Sequence, residues 1–352
     1  MHSRVRRGTA YATVALGILL VALVAACATP GAVTPSPSRR PPTNGTPSPM
    51  STVARPIATP TPTDDPSPTP TTTTLTWTPP PAGSYPVINS CDPATVPSAI
   101  PVTAKAIDPA STFTLYVPVL MYHRIVPVSE AGNSISGLVV PPETFDAQLT
   151  ALTKSGWHTI TMATLADDLA THTKLPAKTV VITFDDGWYD GFKYALPILQ
   201  SHQMVGTFYV ISRRIDQPDF LSTVQLRVLV AAGNEIGDHT MDHANLTALG
   251  DSDLKSQIDE GASRIAQATG RWPESLAYPS GYQDGRVWAA VAACQGLRIA
   301  VLAAGLYLET PGPVPTTTRY QGYVTGQFRF QVPRIRVTPG TSPAFLLNLL
   351  GD

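Results

Sequence analysis

Thr179-Val180-Val181-Ile182-Thr183 is a β-branched run that reads as a fully buried strand, and it leads into Phe184-Asp185-Asp186-Gly187-Trp188. Side chains alternate faces along a regular strand, so two adjacent carboxylates can serve one site only where the chain turns. Gly187 permits that turn. A buried strand that delivers two acids to its C-terminal end has the pattern of an active-site strand in a parallel α/β protein. A polar turn closing a strand, with one Asp capping the next helix, would explain the same residues taken alone. A second signal downstream, His239-Thr240-Met241-Asp242-His243, weighs against that simpler reading.

Strand and helix patterns alternate around this segment. An apolar strand over 114–123 ends in His123. Phe145, Leu149 and Leu152 fall at helical spacing, with Gly156 as a stop. A short strand near 158–161 and a helix over 162–171 precede the Asp185 strand. Beyond Gly187 the pattern predicts helices over 191–202, 223–232, 251–269 and 286–294. Strands are predicted over 206–211, 234–239, 275–278 and 297–302. Such alternation argues an α/β domain with a parallel sheet and outer helices, and about 240 residues is the size of one barrel.

The first quarter of the chain is different. Arg4, Arg6 and Arg7 precede an apolar run from Ala10 to Ala26, which is short for a membrane span and has the basic flank of an export signal. It ends in Val24-Ala25-Ala26-Cys27, small residues before a cysteine, as in a bacterial lipoprotein signal. The expectation is therefore a signal peptide over 1–26 and membrane attachment through a lipidated Cys27. A cleaved signal or an uncleaved anchor remains the alternative, and all of these export the chain. Much of the proline (36 residues in all) crowds into the linker that follows, expected to be disordered over 27–110, with the folded domain over 111–352. Within it, residues 28 to about 83 read as a polyproline-like tether that would reach on the order of 150 Å, far enough to enter a cell wall. In an oxidising compartment Cys91 and Cys294 either pair or stand as two separate thiols. A net charge of −1 gives no reason to expect nucleic acid as a partner.

Three predicted strands end in Asp185/Asp186, in His239 with His243 following, and in His123. Parallel strands closed into a barrel bring those ends to one mouth. One Asp and two His form a divalent-metal set, and three protein ligands leave a position open for water. His239 and His243 could share a face through one helical turn or through a chain that loops back.

These motifs, with the Thr207-Phe208-Tyr209-Val210 strand and Leu276-Ala277-Tyr278-Pro279-Ser280-Gly281, resemble the polysaccharide deacetylases of carbohydrate esterase family 4 over about residues 115–350. The resemblance implies a distorted (β/α) barrel of about seven strands and metal-dependent hydrolysis of an N-acetyl group on a glycan. It implies Asp186, His239 and His243 as ligands of a divalent metal, zinc by preference. Asp185 would be the base that takes a proton from the attacking water, and the backbone N–H of Ser280 would face the oxyanion. The chain departs from the commonest family pattern in three places. Ala277 stands where an arginine usually orients the base, the aspartate-tryptophan motif is not visible, and Phe345-Leu346-Leu347-Asn348 has no histidine. Val119-Leu120-Met121-Tyr122-His123 is similar to a circularly permuted subgroup that includes poly-N-acetylglucosamine deacetylases, which places His123 as general acid. Val332-Pro333-Arg334-Ile335-Arg336-Val337 resembles the same subgroup, and Arg334 is expected to supply the missing guanidinium by pairing with Asp185.

The expected protein is a monomeric, lipid-anchored N-deacetylase at the outer face of a bacterial membrane, acting on peptidoglycan or a poly-N-acetylglucosamine. An O-acetyl xylan esterase or phosphoesterase on the same site, or a glycan-binding lipoprotein without catalysis, are the alternatives. A zinc protease is disfavoured because His239-Thr240 lacks the glutamate that such helices place after the first histidine. Trp188 and Tyr282 could stack on sugar rings or merely pack, and His158, His172 and His202 have no partner motif.

Overall fold

The computed structural model describes Cys91 and residues 104–134, 136–303 and 322–352. The expected signal peptide, Cys27 and most of the proline-rich linker lie outside the described residues. Among the described residues twelve strands run in chain order: β1 Thr114–Tyr116, β2 Val119–Tyr122, β3 Arg124–Ile125, β4 Val139–Val140, β5 His158–Ile160, β6 Thr179–Phe184, β7 Thr207–Val210, β8 Glu235–Asp238, β9 Ser275–Ala277, β10 Ile299–Val301, β11 Tyr323–Thr325 and β12 Ile335–Arg336. Between them lie α1 Pro142–Lys154, α2 Met162–Thr171, α3 Leu196–Ser201, α4 Thr223–Ala231, α5 Asp251–Thr269, α6 Gly285–Ala293 and, last, α7 Pro343–Leu350. Among the described residues no helix is long and apolar enough to cross a membrane.

The fold is α/β, with a curled parallel sheet in the order β10-β9-β8-β7-β6-β2-β12. β6 is its longest strand, and every one of its residues is buried, as its unbroken apolar run predicts. One edge of β6 takes β2, with Met121 opposite Thr183. The other edge is shared: β5 pairs with its first half and β7 with its last two residues. The sheet curls far enough that its two ends meet through an irregular segment. Val301 of β10 bridges Val332, three residues before β12, and the Leu302 N–H donates to the Val332 carbonyl at 2.9 Å. This arrangement is the distorted barrel of about seven strands that the family resemblance implied.

Helix signals held where caps and spacing agreed. α2 starts where Thr161 accepts the Thr164 N–H, and α5 ends at Gly270 in the left-handed conformation. Two expected elements are broken in the structure, both by proline. Pro118 divides the strand expected over 114–123 into β1, which pairs antiparallel with β11, and β2, which joins the main sheet. The helix expected over 191–202 is a π-helical turn, Gly191–Ala195, followed by α3, where Pro197 has no N–H to continue the ladder.

Packing also begins before residue 111. Ile107 is buried in a cluster with Leu115, Val119 and Val301, and Arg298 donates to the Lys105 carbonyl at 2.9 Å. Ile107 and the Lys105 carbonyl thus already contact the folded part of the chain. Cys91 and Cys294 form a disulfide, resolving the two readings of those cysteines, and it packs against Trp272, Val287 and Val291.

Candidate active site

The turn after β6 does what the sequence required of it. Asp186 and Gly187 both have positive φ, 75° and 74°. A side chain at Gly187 would meet the Val210 side chain at 3.0 Å, so glycine is needed for space as well as for conformation. This reversal lets Asp185, buried, and Asp186, partly open, face one cleft of about 930 Å³ at the C-terminal ends of the strands.

β8 delivers His239 to the same cleft. Its Nδ1 lies 2.8 Å from the Ala277 carbonyl, which makes Nδ1 the protonated nitrogen and leaves Nε2 as the donor atom facing Asp186. His243 arrives by a loop and not by a helical turn: Thr240 and His243 have φ of 64° and 61°. Asp238 Oδ1 accepts the Thr240 N–H at 2.8 Å, and Thr240 Oγ1 accepts the His243 N–H at 3.2 Å. Gln257 of α5 braces the loop through the Asp242 N–H and carboxylate, both at 3.0 Å.

Asp186 Oδ1 is 3.5 Å from His239 Nε2 and 3.7 Å from His243 Nε2. Those separations are long for hydrogen bonds, yet ligands at about 2.0–2.1 Å in a tetrahedral zinc site stand about 3.4 Å apart. Two imidazole nitrogens and one carboxylate oxygen on a common centre are a donor set suited to zinc and its neighbours. The residues present therefore fit a divalent metal ion.

Asp185 lies deeper, and its partner is Arg334. The guanidinium donates to both carboxylate oxygens, each at 2.7 Å, and Arg334 is fully buried. Arg334 is fixed in turn by the Leu302 carbonyl at 2.7 Å and Thr183 Oγ1 at 3.0 Å. Burial alone would raise the Asp185 carboxyl, but Arg334 and His239 outweigh it and hold its pKa below the ordinary value. Asp186 behaves alike: burial opposes its charge, and the imidazoles of His239 and His243 with His123 pull its pKa far down. His123 follows β2, with Nε2 4.0 Å from Asp185 Oδ2. Burial lowers its pKa despite the two nearby carboxylates. Ser280 also lines the cleft, in a strained turn with φ of 52°. Six of the seven residues singled out in the sequence thus line one cleft, and the seventh, Arg334, lies buried behind it against Asp185.

The remaining histidines lie elsewhere; His158 and His172 bond Thr179 and Ser111, and His202 pairs with Asp146. Tyr282 is exposed at the cleft rim. Trp188 has both faces covered, by Phe220 with ring centroids 4.6 Å apart and by the Arg124 guanidinium at 4.4 Å. It is packed and not presented to a sugar. Sequence reasoning missed Arg124, Asp219 and Arg336, which also line the cleft; nothing in their local patterns marks them.

Residues 172–299 match the sequence family described as polysaccharide deacetylase. The chain carries a polysaccharide deacetylase domain. The match contains Asp185, Asp186, His239, His243 and Ser280 but stops short of His123 and Arg334 at either end. The deacetylase domain is 29% identical over 227 residues to YxkH of Bacillus subtilis (strain 168), a protein assigned to the polysaccharide deacetylases; the alignment covers 64% of this chain and 73% of that one. It is 36% identical over 94 residues to a chitooligosaccharide deacetylase of Sinorhizobium fredii (strain NBRC 101917 / NGR234), covering 26% of this chain and 41% of that one. The fold of the deacetylase domain is also that of the Streptococcus pyogenes deacetylase PplD, solved in complex with acetate: TM-score 0.58, 22% identity, 68% of this chain and 99% of that one.

Proposed function

We propose that this chain removes N-acetyl groups from an N-acetylglucosamine-containing polysaccharide of the cell envelope, peptidoglycan or a poly-N-acetylglucosamine, with zinc held by Asp186, His239 and His243. The observation that carries the reading is the convergence of that ligand set with the Arg334-gripped Asp185 in one cleft. A divalent ion held there supplies a Lewis acid for the acetamide carbonyl and makes a nearby water easier to deprotonate. Asp185 accepts the proton of the attacking water, and its low pKa keeps it ionised and ready to do so. Arg334 fixes the plane of that carboxylate. The backbone N–H of Ser280 is assigned to the developing oxyanion. His123, whose Nε2 lies 4.0 Å from Asp185 Oδ2, is assigned the proton that the departing amine requires.

A glycan-binding protein without catalysis was suggested by Ala277 in place of the usual arginine. Arg334, the residue before β12, fills that electrostatic role, which removes the reason for that reading. Attachment at the outer face of a bacterial membrane through Cys27, with the linker reaching into the wall, remains part of the proposal and rests on the sequence alone. The test is mass spectrometry of chitin oligomers and peptidoglycan fragments after incubation with the protein. Loss of one acetyl mass per modified sugar, stopped by a chelator and restored by zinc, is the expected result. Acetate released only from O-acetylated xylan, or phosphate from phosphoesters, would replace this reading with one of its rivals.

A further inference from the structure

Asp186 presents Oδ1 to the two histidines, and its other oxygen, Oδ2, accepts the indole N–H of Trp188 at 3.1 Å. A carboxylate free to rotate about its Cβ–Cγ bond would offer either oxygen, or both, to an ion. The indole hydrogen bond fixes the carboxylate plane and reserves Oδ1 for the ligand set. The geometry points to Trp188 as a positioning residue for Asp186, held in that pose by Arg124 and, through Arg124, by the cleft loop of residues 127–134. The inference rests on the metal-site reading above.

Trp188 can do this only if its ring is immobile, and the structure supplies the restraint. Phe220 stacks on one face, with Arg214 placed 4.7 Å from the Phe220 ring. The backbones of Trp188 and Phe220 form a β-bridge, and the Leu221 N–H donates to the Gly187 carbonyl at 2.9 Å. Arg124 covers the other face with a planar cation at 4.4 Å. Arg124 is itself gripped at three places: Asp190 Oδ2 at 2.6 Å, the Ala131 carbonyl at 3.2 Å and Ser134 Oγ at 2.7 Å. Two of those three acceptors belong to the loop that lines the substrate cleft. That loop is pinned a second time, where Glu130 accepts Lys193 and Tyr194 from the π-helical turn, at 2.8 and 2.7 Å. A π-turn is rare, and here it starts one residue after Asp190 and carries both partners of Glu130. A contact that shifts the loop is thereby felt at the metal ligand through one cation and one ring.

The discriminating measurement is zinc affinity, by competition with a fluorescent chelator on the full-length chain stripped of metal, with the melting temperature of the metal-free protein measured alongside. Trp188→Phe keeps an aromatic ring between Phe220 and Arg124 and removes only the donor. It is expected to bind zinc about 10-fold or more weakly, with the metal-free melting temperature unchanged. Arg124→Lys keeps the charge opposite Asp190 but loses the planar stack and the fork to the loop; it is expected to weaken zinc in the same direction, by less. Zinc affinity equal to wild type in Trp188→Phe overturns the inference. If that variant does not fold, wild-type affinity in Arg124→Lys overturns it instead. A wild-type chain that takes up no zinc overturns the metal-site reading itself, an outcome distinct from equal affinities in wild type and variant.

Discussion

Arg334 holds Asp185 across 149 positions of sequence through two parallel hydrogen bonds of 2.7 Å each. The pair is buried completely on one side and almost completely on the other. A buried ion pair with every polar atom accounted for fixes geometry more than it stabilises the fold. Its consequence here is a carboxylate with one orientation and one charge state, the properties that the proposed function asks of its base.

Arg334→Lys therefore separates charge from geometry. A single ammonium cannot reach both oxygens of Asp185, the Leu302 carbonyl and Thr183 Oγ1 together. Acetate release is expected to fall roughly 100-fold in kcat, the scale of a misplaced catalytic group. Zinc affinity should change little, because Arg334 touches none of Asp186, His239 and His243. Steady-state acetate release and a chelator competition check the two halves; equal losses in both would mean that Arg334 supports the metal site and not the base.

How much of this was readable beforehand depends on range. Asp185, Asp186, His239 and His243 were legible because each lies in a short motif whose spacing carries its chemistry. α2 and α5 were legible because a capping threonine and a stopping glycine bound their periodic runs. β12 and α7 went unassigned: β12 has two residues, and α7 offers eight, mostly apolar, with no polar face to set a helical period. The role of Trp188 was not legible at all, since Arg124 of β3 and the connection carrying Arg214 and Phe220 assemble its environment from two distant segments. A side chain next to an active-site motif looks equally suited to ligand and to support until its two faces are seen.

The adjacent carboxylates have different partners, so their amides should fail differently. Asp185→Asn removes the proposed base but leaves the proposed ligand set intact: acetate release should drop by roughly 10²–10⁴-fold with zinc still bound. Asp186→Asn weakens the centre on which both His239 and His243 converge, and should lose zinc and turnover together. Metal content by mass spectrometry after gel filtration, set beside acetate release, checks both. Wild-type turnover in Asp185→Asn would remove it from the chemistry.

At the other end of the sheet, Glu235 opens β8 with a carboxyl that accepts the Ala163 N–H, Thr207 Oγ1 and Ser275 Oγ at 2.8, 2.9 and 2.6 Å. Burial outweighs these bonds and pushes its pKa from 4.5 up to about 7. The folded chain thus keeps a proton that the unfolded chain releases between those values. Stability should fall as pH rises from about 4.5 to about 7 and level off above, by up to about 3 kcal/mol from this group. Glu235→Gln can keep the oxygen toward Ala163 and donate to Ser275 Oγ, and it should flatten that slope. Urea denaturation across the pH range measures it; an unchanged slope would assign the effect to other groups.

His123 is the residue whose role depends most on the leaving group, and that dependence tests it. An amine departs poorly unless protonated, whereas a nitrophenolate departs unaided. If His123 is the proton donor, His123→Ala should cut N-deacetylation roughly 10²–10⁴-fold while lowering hydrolysis of 4-nitrophenyl acetate only a few-fold. If its ring merely shapes the cleft beside Asp185, 4.0 Å away, both substrates should suffer alike. The pH profile sharpens the distinction. Burial lowers the His123 pKa, so the acid limb it governs should turn down in rate as pH rises past a value below that of an ordinary imidazole. In the alanine variant that limb should disappear from the N-acetyl profile. Its survival would give the proton to another group in the cleft.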